Sequence, residues 1–190
     1  MEKGICVYCS SSSSTPEIYH RETEHLGRLI AKSGQPLIYG GASIGLMGLL
    51  ADTVAANGGQ VVAVLPESLH ERGIGNNNAD ELILTRDLRE RKKIMEERSS
   101  AFIALPGGFG TLEELLEITT LKQLRMVQAP VVLINTAGFY DQLIALRDRM
   151  LKENFMIKEN SRLIHTAENS DAAMEYISTY THEEMPSKWL

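Results

Sequence analysis

Short apolar runs alternate with amphipathic stretches along almost the whole chain, and this alternation constrains the fold more than any other feature of the sequence. Buried strands and helices that pack on a sheet produce this pattern. The predicted strands are 4–10, 36–39, 60–65, 82–85, 101–105, 131–135 and 162–165. The predicted helices lie between them, at 16–33, 46–57, 88–99, 111–127, 140–153 and 170–181.

Regular alternation of strands and helices predicts a Rossmann-like, doubly wound α/β fold, with a mostly parallel sheet and helices on both faces. A chain of 190 residues is expected to form one domain, with 181–190 as a loose tail. Ligands of such sheets bind beyond the carboxyl ends of the strands, at the switch point. Three loops rich in small residues are expected there: the serine run 10–14, the Gly40 turn and the Gly107 turn.

Composition excludes several classes of partner. The formal net charge is −6 and the basic residues form no long run, which argues against binding to a nucleic-acid polymer. The longest apolar runs are about five residues, whereas a membrane-spanning helix needs roughly 20. No charged and apolar leader precedes the first strand, so a cytoplasmic protein is expected.

Cys6 and Cys9 form a Cys-x-x-Cys pattern, but both lie in the apolar first strand. Residues three apart on a strand point to opposite faces, so the two sulfurs are not expected to meet. The five histidines are scattered and supply no second cluster of ligands. We therefore expect no metal site and no redox cofactor.

The turn at 106–110 has the sequence Pro-Gly-Gly-Phe-Gly, follows an apolar strand and opens a helix. Glycines allow a ligand to approach the backbone, and a helix N-terminus offers free N–H donors and a positive dipole end. The turn is therefore a candidate phosphate site. A tight strand–helix connection without a ligand explains the same residues equally well.

Glu114 has two interpretations. Thr111 and Glu114 have the spacing of a capping box, in which each side chain bonds the other residue's backbone N–H. Alternatively, the carboxylate lies beside a sugar, where it positions water and stabilises a cationic, oxocarbenium-like centre.

The turn at 40–45 and the helix that begins near Asp87 offer further candidates. The turn repeats the strand–turn–helix arrangement, and Gly48 within the next helix indicates either close packing or a nearby ligand. Arg91, Met95 and Arg98 share one helical face. The charges around Arg91 favour a solvated face, but an arginine at this edge of the sheet also suits a phosphate or a polar base.

The segments 87–95 and 101–114 together closely resemble the LOG family of cytokinin riboside 5′-monophosphate phosphoribohydrolases, often labelled lysine decarboxylases. The family signature is Arg-Lys followed by Pro-Gly-Gly-x-Gly-Thr-x-x-Glu, and here the arginine and glutamate are Arg91 and Glu114. Segments 39–41 and 45–48 match its other glycine motif. The resemblance extends over roughly residues 4–165.

The resemblance implies that Arg91 and Glu114 are catalytic, and that the protein is a homodimer with its nucleotide site near the subunit interface. The other positions in the nucleotide site would be Lys92, Gly107, Gly108, Phe109, Gly110, Thr111 and Thr120 and, through the second glycine motif, Gly40, Gly41, Gly45 and Met47. The chain departs from the family pattern at Leu88 and Arg89, where Met-His is usual, and at Gly73 and Asn76, where glutamate and histidine are usual. These departures leave the preferred base open.

The function predicted from these features is hydrolysis of the base–ribose bond of a nucleoside 5′-monophosphate, giving free base and ribose 5-phosphate without a cofactor. Two alternatives remain at this point. A nucleotide-binding module without turnover would use the glycine turns but would not need Arg91 and Glu114 together. A ribosyl transferase that exchanges bases would use Glu114 as a nucleophile. Pyridoxal-dependent decarboxylation is disfavoured, because no lysine is recognisable as a Schiff-base anchor.

Overall fold

A computed structural model describes residues 3–182 of the chain. Seven strands form one sheet: β1 Gly4–Tyr8, β2 Leu37–Tyr39, β3 Val61–Pro66, β4 Glu81–Thr85, β5 Ser99–Ala104, β6 Val131–Ile134 and β7 His165–Ala167. Seven α-helices accompany them: α1 Glu17–Ser33, α2 Gly45–Ala56, α3 Glu67–His70, α4 Leu88–Glu97, α5 Phe109–Gln123, α6 Asp141–Lys152 and α7 Ser170–Thr179. The predicted loose tail lies outside the described residues from 183 onward.

The strand order is β4-β3-β2-β1-β5-β6-β7, and every adjacent pair is parallel. The chain moves outward from β1 to β4 and then returns to the other side of β1 to build β5, β6 and β7. The switch point therefore lies between β1 and β5. Because β2, β1 and β5 are neighbours, the loops that follow them meet at one part of the carboxyl edge, as predicted.

Helices cover both faces of the sheet, which confirms the predicted doubly wound α/β class. On one face, residues of α1, α2 and α7 pack on the strands, among them Leu26, Leu50 and Ala173. On the other face the packing helices are α4, α5 and α6, with Met95 and Leu115 fully buried.

Cys6 and Cys9 belong to the clusters on opposite faces, so the prediction that their sulfurs do not meet is confirmed. Within residues 3–182 no three His, Cys, Asp or Glu side chains are grouped to hold a metal ion. Over the same range, no helix has the length and apolar character needed to cross a membrane.

Several predicted boundaries differ from the structure. The stretch predicted to be an irregular loop, 66–80, contains the short helix α3. The last strand begins at His165 instead of ending there, because 158–162 form a 3₁₀ helix. Helix α5 ends four residues earlier than predicted, since Arg125 adopts a left-handed conformation and the N–H of Met126 donates to the carbonyl of Leu121.

Candidate active site

Arg91 and Glu114 form a buried ion pair at the carboxyl edge of the sheet. The Nη2 of Arg91 donates to Oε1 of Glu114, and the two residues are only 9% and 4% exposed. Arg91 lies in the first turn of α4, whose start is fixed by Asp87: its carboxylate accepts from the N–H groups of Arg89 and Glu90 at 2.8 and 2.9 Å. Asp87 is thus the predicted helix cap, and it sets the position from which Arg91 reaches α5.

The structure excludes the two simpler interpretations of these residues, a solvated helix face for Arg91 and a capping box for Glu114. Arg91 does not lie on a solvated face, since it is buried. Glu114 is not half of a capping box either. Helix α5 begins at Phe109 with Gly108 as its N-cap and no side-chain cap, so Thr111 is already inside the helix.

Burial raises the pKa of the Glu114 carboxyl, and the charge of Arg91 opposes that rise. The balance leaves the pKa above its ordinary value. Without Arg91 the carboxyl would be still harder to ionise, because an unpaired buried charge is strongly disfavoured. The guanidinium therefore helps to keep this carboxyl available as an anion.

The second glycine turn contacts the same pair. A Cβ at Gly40 would lie 3.1 Å from Nη1 of Arg91 and 3.4 Å from the terminal methyl of Met47. Gly40 thus leaves the space that the guanidinium occupies. The Nε of Arg91 is buried and has no hydrogen-bond partner among the described residues. The arginine accordingly keeps donor capacity beyond Glu114.

The N-terminus of α5 supplies free backbone donors at this edge. Leu112 is the first residue whose N–H bonds back to the helix start, reaching the carbonyl of Gly108 at 3.1 Å. The N–H groups before it have no carbonyl one turn back. Around Gly108 and Gly110, no atom lies within 4 Å of an added Cβ, so this backbone is open to a ligand. Phe109 projects into solvent beside it, 93% exposed.

Gly107 has a different role in this turn. A Cβ there would lie 2.1 Å from Oγ1 of Thr111, which is buried against it. The contact between Gly107 and Thr111 closes the strand–helix connection tightly. The hydroxyl of Tyr140 donates to the carbonyl of Leu105 at 2.7 Å and anchors the chain just before the turn.

The serine loop after β1 packs on the start of α2. The N–H of Met47 donates to the carbonyl of Ser10 at 3.2 Å, and a Cβ at Gly45 would clash with the backbone of Ser11. Gly48 is required by close packing, because a Cβ there would lie 2.3 Å from the carbonyl oxygen of Ser43. These contacts join the serine loop to the second glycine turn, and Arg91 connects that turn to α5 through Glu114.

Lys92 is held in ion pairs on α5, and Thr120 lies apart from the free backbone of the turn. The ammonium of Lys92 pairs with Glu113 and Glu117 on α5. Burial lowers its pKa, but the bonds to these two carboxylates outweigh burial and leave the pKa raised. Thr120 is exposed, and its hydroxyl donates to the carbonyl of Leu116. The helical rise places it about 14 Å along α5 from Thr111.

Asn76 and Tyr39 form a hydrogen bond that the motifs did not predict. The buried side chain of Asn76 donates to the hydroxyl of Tyr39 at 3.0 Å, and its N–H donates to the carbonyl of Gly41 at 2.9 Å. Asn76 thereby ties the 66–80 segment to the second glycine turn. In the sequence Asn76 stood out only as a departure from the family pattern, and that departure did not predict this contact.

The other departures lie on the surface of the site. Gly73 adopts a left-handed conformation with φ of 74°, and no atom lies within 4 Å of an added Cβ. Leu88, the first residue of α4, is 53% exposed, and Arg89 beside it is exposed.

Residues 47–177, more than half of the chain, match a family model described as "Possible lysine decarboxylase". The cytokinin riboside 5′-monophosphate phosphoribohydrolase LOG2 of Arabidopsis thaliana is 38% identical over 186 residues, which cover 97% of this chain and 87% of the relative. The chain belongs to the LOG family. A second relative is the probable cytokinin riboside 5′-monophosphate phosphoribohydrolase LOGL1 of Oryza sativa subsp. japonica. It is 39% identical over 183 residues, which cover 95% of this chain and 82% of the relative.

The fold is shared more widely than the LOG family signature. The molybdenum cofactor carrier protein of Chlamydomonas reinhardtii superposes with a TM-score of 0.70 at 24% identity, over 94% of this chain and 97% of its own. The molybdenum cofactor binding protein of Rippkaea orientalis gives the same TM-score at 22% identity, over 94% of this chain and 98% of its own. At this identity the likeness concerns the α/β architecture alone.

Proposed function

We propose that this LOG family member hydrolyses the N-glycosidic bond of nucleoside 5′-monophosphates, releasing the free base and ribose 5-phosphate. The observation that carries the proposal is the buried Arg91–Glu114 pair beside the open N-terminus of α5. The curated relatives are named for this reaction on cytokinin riboside 5′-monophosphates.

The 5′-phosphate would bind the N–H groups of Gly108 to Thr111. A helix N-terminus combines several convergent donors with a positive dipole end, which together suit a phosphate dianion. Gly108 and Gly110 permit this approach because no side chain covers their backbone. The turn itself is held in shape by the contact between Gly107 and Thr111.

Glu114 would act at the anomeric carbon of the ribose. In the reaction the bond from C1′ to the base nitrogen breaks, and the base leaves with the electron pair and takes up a proton. The oxygen of water then bonds C1′ and loses a proton. A carboxylate next to C1′ stabilises the cationic sugar and orients the water. Arg91 keeps that carboxyl ionised and directs its remaining donors toward the substrate.

A panel of substrates tests the assignment. AMP, isopentenyl-AMP and adenosine are incubated with the protein, and free base is measured by liquid chromatography. We expect kcat/KM for the two monophosphates to exceed that for adenosine at least 100-fold, since adenosine cannot use the α5 donors. Equal values for AMP and adenosine would refute the phosphate assignment. An absence of free base with every compound would instead support a binding module.

Labelled adenine separates hydrolysis from base exchange. AMP is incubated with isotopically labelled free adenine, and label is measured in the remaining nucleotide. Hydrolysis leaves the nucleotide unlabelled while ribose 5-phosphate accumulates. Label in AMP would show that a second base replaces water, and the protein would then be a ribosyl transferase.

We also propose that the protein works as a homodimer whose interface borders this site. Leu88 and Phe109 are the first residues of α4 and α5, the helices that carry Arg91 and Glu114, and both expose apolar side chains. Large exposed apolar side chains grouped at one place are typical of interfaces. Among residues 3–182 the methionines contribute little to such a surface: Met95 is fully buried in the core, and only Met126 is largely exposed.

A further inference from the structure

A cavity lies at the amino edge of the sheet, opposite the carboxyl edge where Arg91 and Glu114 pair. Its volume is about 510 Å³, within the usual range for small-molecule sites. Its walls come from the end of α5, the 3₁₀ helix 158–162, the start of β7 and the end of α7. Helix α5 runs from the carboxyl edge back to the amino edge, so Lys122 lies about 17 Å along it from Thr111. The cavity is therefore separate from the candidate active site.

The lining is basic although the protein is acidic overall. Among residues 3–182 it includes Lys122, Arg147 and His165, together with hydroxyl groups of serine, threonine and tyrosine, and no carboxylate. Arg162 also lines it but has an interaction of its own. Arg147 also pairs with its neighbour Asp148 at 2.9 Å. In a chain of net charge −6, a concave surface with this composition favours an anionic ligand.

Lys122 is the residue that points to a ligand. It is 5% exposed, and within residues 3–182 its ammonium has no carboxylate or hydrogen-bond partner. The ammonium lies over the ring of Tyr180, 4.9 Å from the centroid. Burial lowers its pKa to about 8. Burying an ammonium without a counter-ion costs stability, and a residue kept at such a cost is typical of a functional site.

A second polar group lacks a partner in the same wall. The hydroxyl of Thr166 on β7 is buried and has no hydrogen-bond partner among the described residues. Buried hydroxyls are normally satisfied, so this group also has unused hydrogen-bonding capacity. Beside it the ring of His165 stacks on Tyr176 with centroids 3.8 Å apart, forming a flat wall.

We propose that this cavity is a second ligand site, which binds a small phosphate monoester with its phosphate on Lys122. A phosphate dianion supplies the missing counter-charge and acceptors for the ammonium of Lys122. The volume exceeds the needs of phosphate alone, and the His165–Tyr176 wall offers a flat surface for the rest of the ester. The inference does not depend on the reaction at Arg91 and Glu114.

Pyridoxal phosphate, a phosphate monoester with an aldehyde, tests the site directly. Its aldehyde forms an imine with a lysine amine, and borohydride reduces the imine to a stable adduct that mass spectrometry maps. We expect pyridoxal phosphate to label Lys122 at least tenfold faster than the exposed Lys32, and inorganic phosphate to protect Lys122. Pyridoxal, which lacks the phosphate, should label Lys122 far more slowly than pyridoxal phosphate does.

Two outcomes would overturn the proposal. Equal labelling of Lys122 by pyridoxal and pyridoxal phosphate would show that the low pKa alone makes the amine reactive. Labelling of Lys122 no faster than that of Lys32, or no protection by phosphate, would show that the cavity does not bind the anion.

Lys122→Met separates a binding role from a structural one. Replacement of an unpaired buried ammonium by an apolar side chain of similar length should keep or raise the melting temperature. Affinity for ribose 5-phosphate at this cavity, followed by histidine and tyrosine ring NMR signals, should fall at least about tenfold. The matched control, Lys32→Met, should leave both unchanged. A lower melting temperature with unchanged affinity would assign Lys122 to packing on Tyr180 and refute the site.

Discussion

The guanidinium of Arg91 and the carboxylate of Glu114 pair across 23 residues of sequence, joining the first turn of α4 to the second turn of α5. The two helices follow β4 and β5, which are not adjacent in the sheet. The pair therefore depends on the whole switch-point arrangement. Its members are separated enough in sequence that neither residue alone indicates the contact.

Glu114→Gln is expected to reduce turnover strongly while the fold is retained. Glutamine keeps an oxygen that accepts from Arg91, so the free energy of unfolding should fall by no more than about 1 kcal/mol. The substitution removes the charge that stabilises the cationic sugar, so kcat should fall at least about 100-fold while AMP still binds. Thermal unfolding, AMP binding and free-base release are measured on the same sample.

Glu97→Gln is the matched control for that variant. Glu97 is exposed at the far end of α4, so both stability and activity should stay near the wild-type values. A well-folded Glu114→Gln protein with full activity would remove the carboxylate from the proposed mechanism.

The pH dependence follows from the raised pKa of Glu114. Catalysis needs the ionised carboxyl, so the acid limb of kcat/KM should lie above the ordinary glutamate value of about 4.3. A raised native pKa means that the folded state binds this proton more tightly than the unfolded state. This proton therefore adds to the free energy of unfolding below the pKa that Glu114 has in the unfolded state. The contribution is lost as the pH rises through the pKa that Glu114 has in the folded state.

The Glu114→Gln variant provides a reference for this pH dependence of stability, because glutamine does not ionise. The stability of the wild type relative to Glu114→Gln should fall as the pH rises through the folded pKa of Glu114. Denaturant unfolding of both proteins across pH 4 to 8 is the measurement. A relative stability that rises with pH would mean that Arg91 outweighs burial and that the native pKa is lowered.

The alternation of apolar runs with amphipathic stretches predicted most of the fold, because most strands contain a short apolar run. The boundaries that failed depend on information that periodicity does not carry. Arg125 ends α5 by adopting a left-handed conformation, which a non-glycine residue gives little reason to expect. Helix α3 has only four residues, too few to show a helical period.

The glycine turns were recognised from the sequence, but the sequence did not show which glycines are required by packing and which leave the backbone open. Gly107 and Gly48 are required by packing, whereas Gly108 and Gly110 leave backbone open. The same residue type serves both purposes, and only the neighbouring atoms distinguish them. Lys122 was missed for a similar reason: its ammonium lies over the ring of Tyr180, which directly follows α7 and is far away in the sequence.

Gly107→Ala should impair the phosphate site through Thr111. The added methyl would lie 2.1 Å from Oγ1 of Thr111, so the turn must shift and KM for AMP should rise at least about tenfold. Gly110→Ala is the comparison, since its Cβ meets no atom and alanine favours a helix by up to about 1 kcal/mol. Its melting temperature should stay the same or rise. A Gly107→Ala protein with wild-type KM would show that phosphate does not depend on this turn.

Leu88→Glu should disrupt the proposed dimer without unfolding the subunit. Leu88 is the first residue of α4, where a carboxylate is favoured by the helix dipole, so the change should not weaken the helix. Leu146→Glu on α6 is the matched control, because the two leucines are 53% and 52% exposed. Light scattering should report about twice 21.1 kDa for the wild type and for Leu146→Glu, and a smaller mass for Leu88→Glu. A wild-type mass of 21.1 kDa at micromolar concentration would refute the dimer. A dimeric Leu88→Glu protein would place the interface on a different face, away from the start of α4.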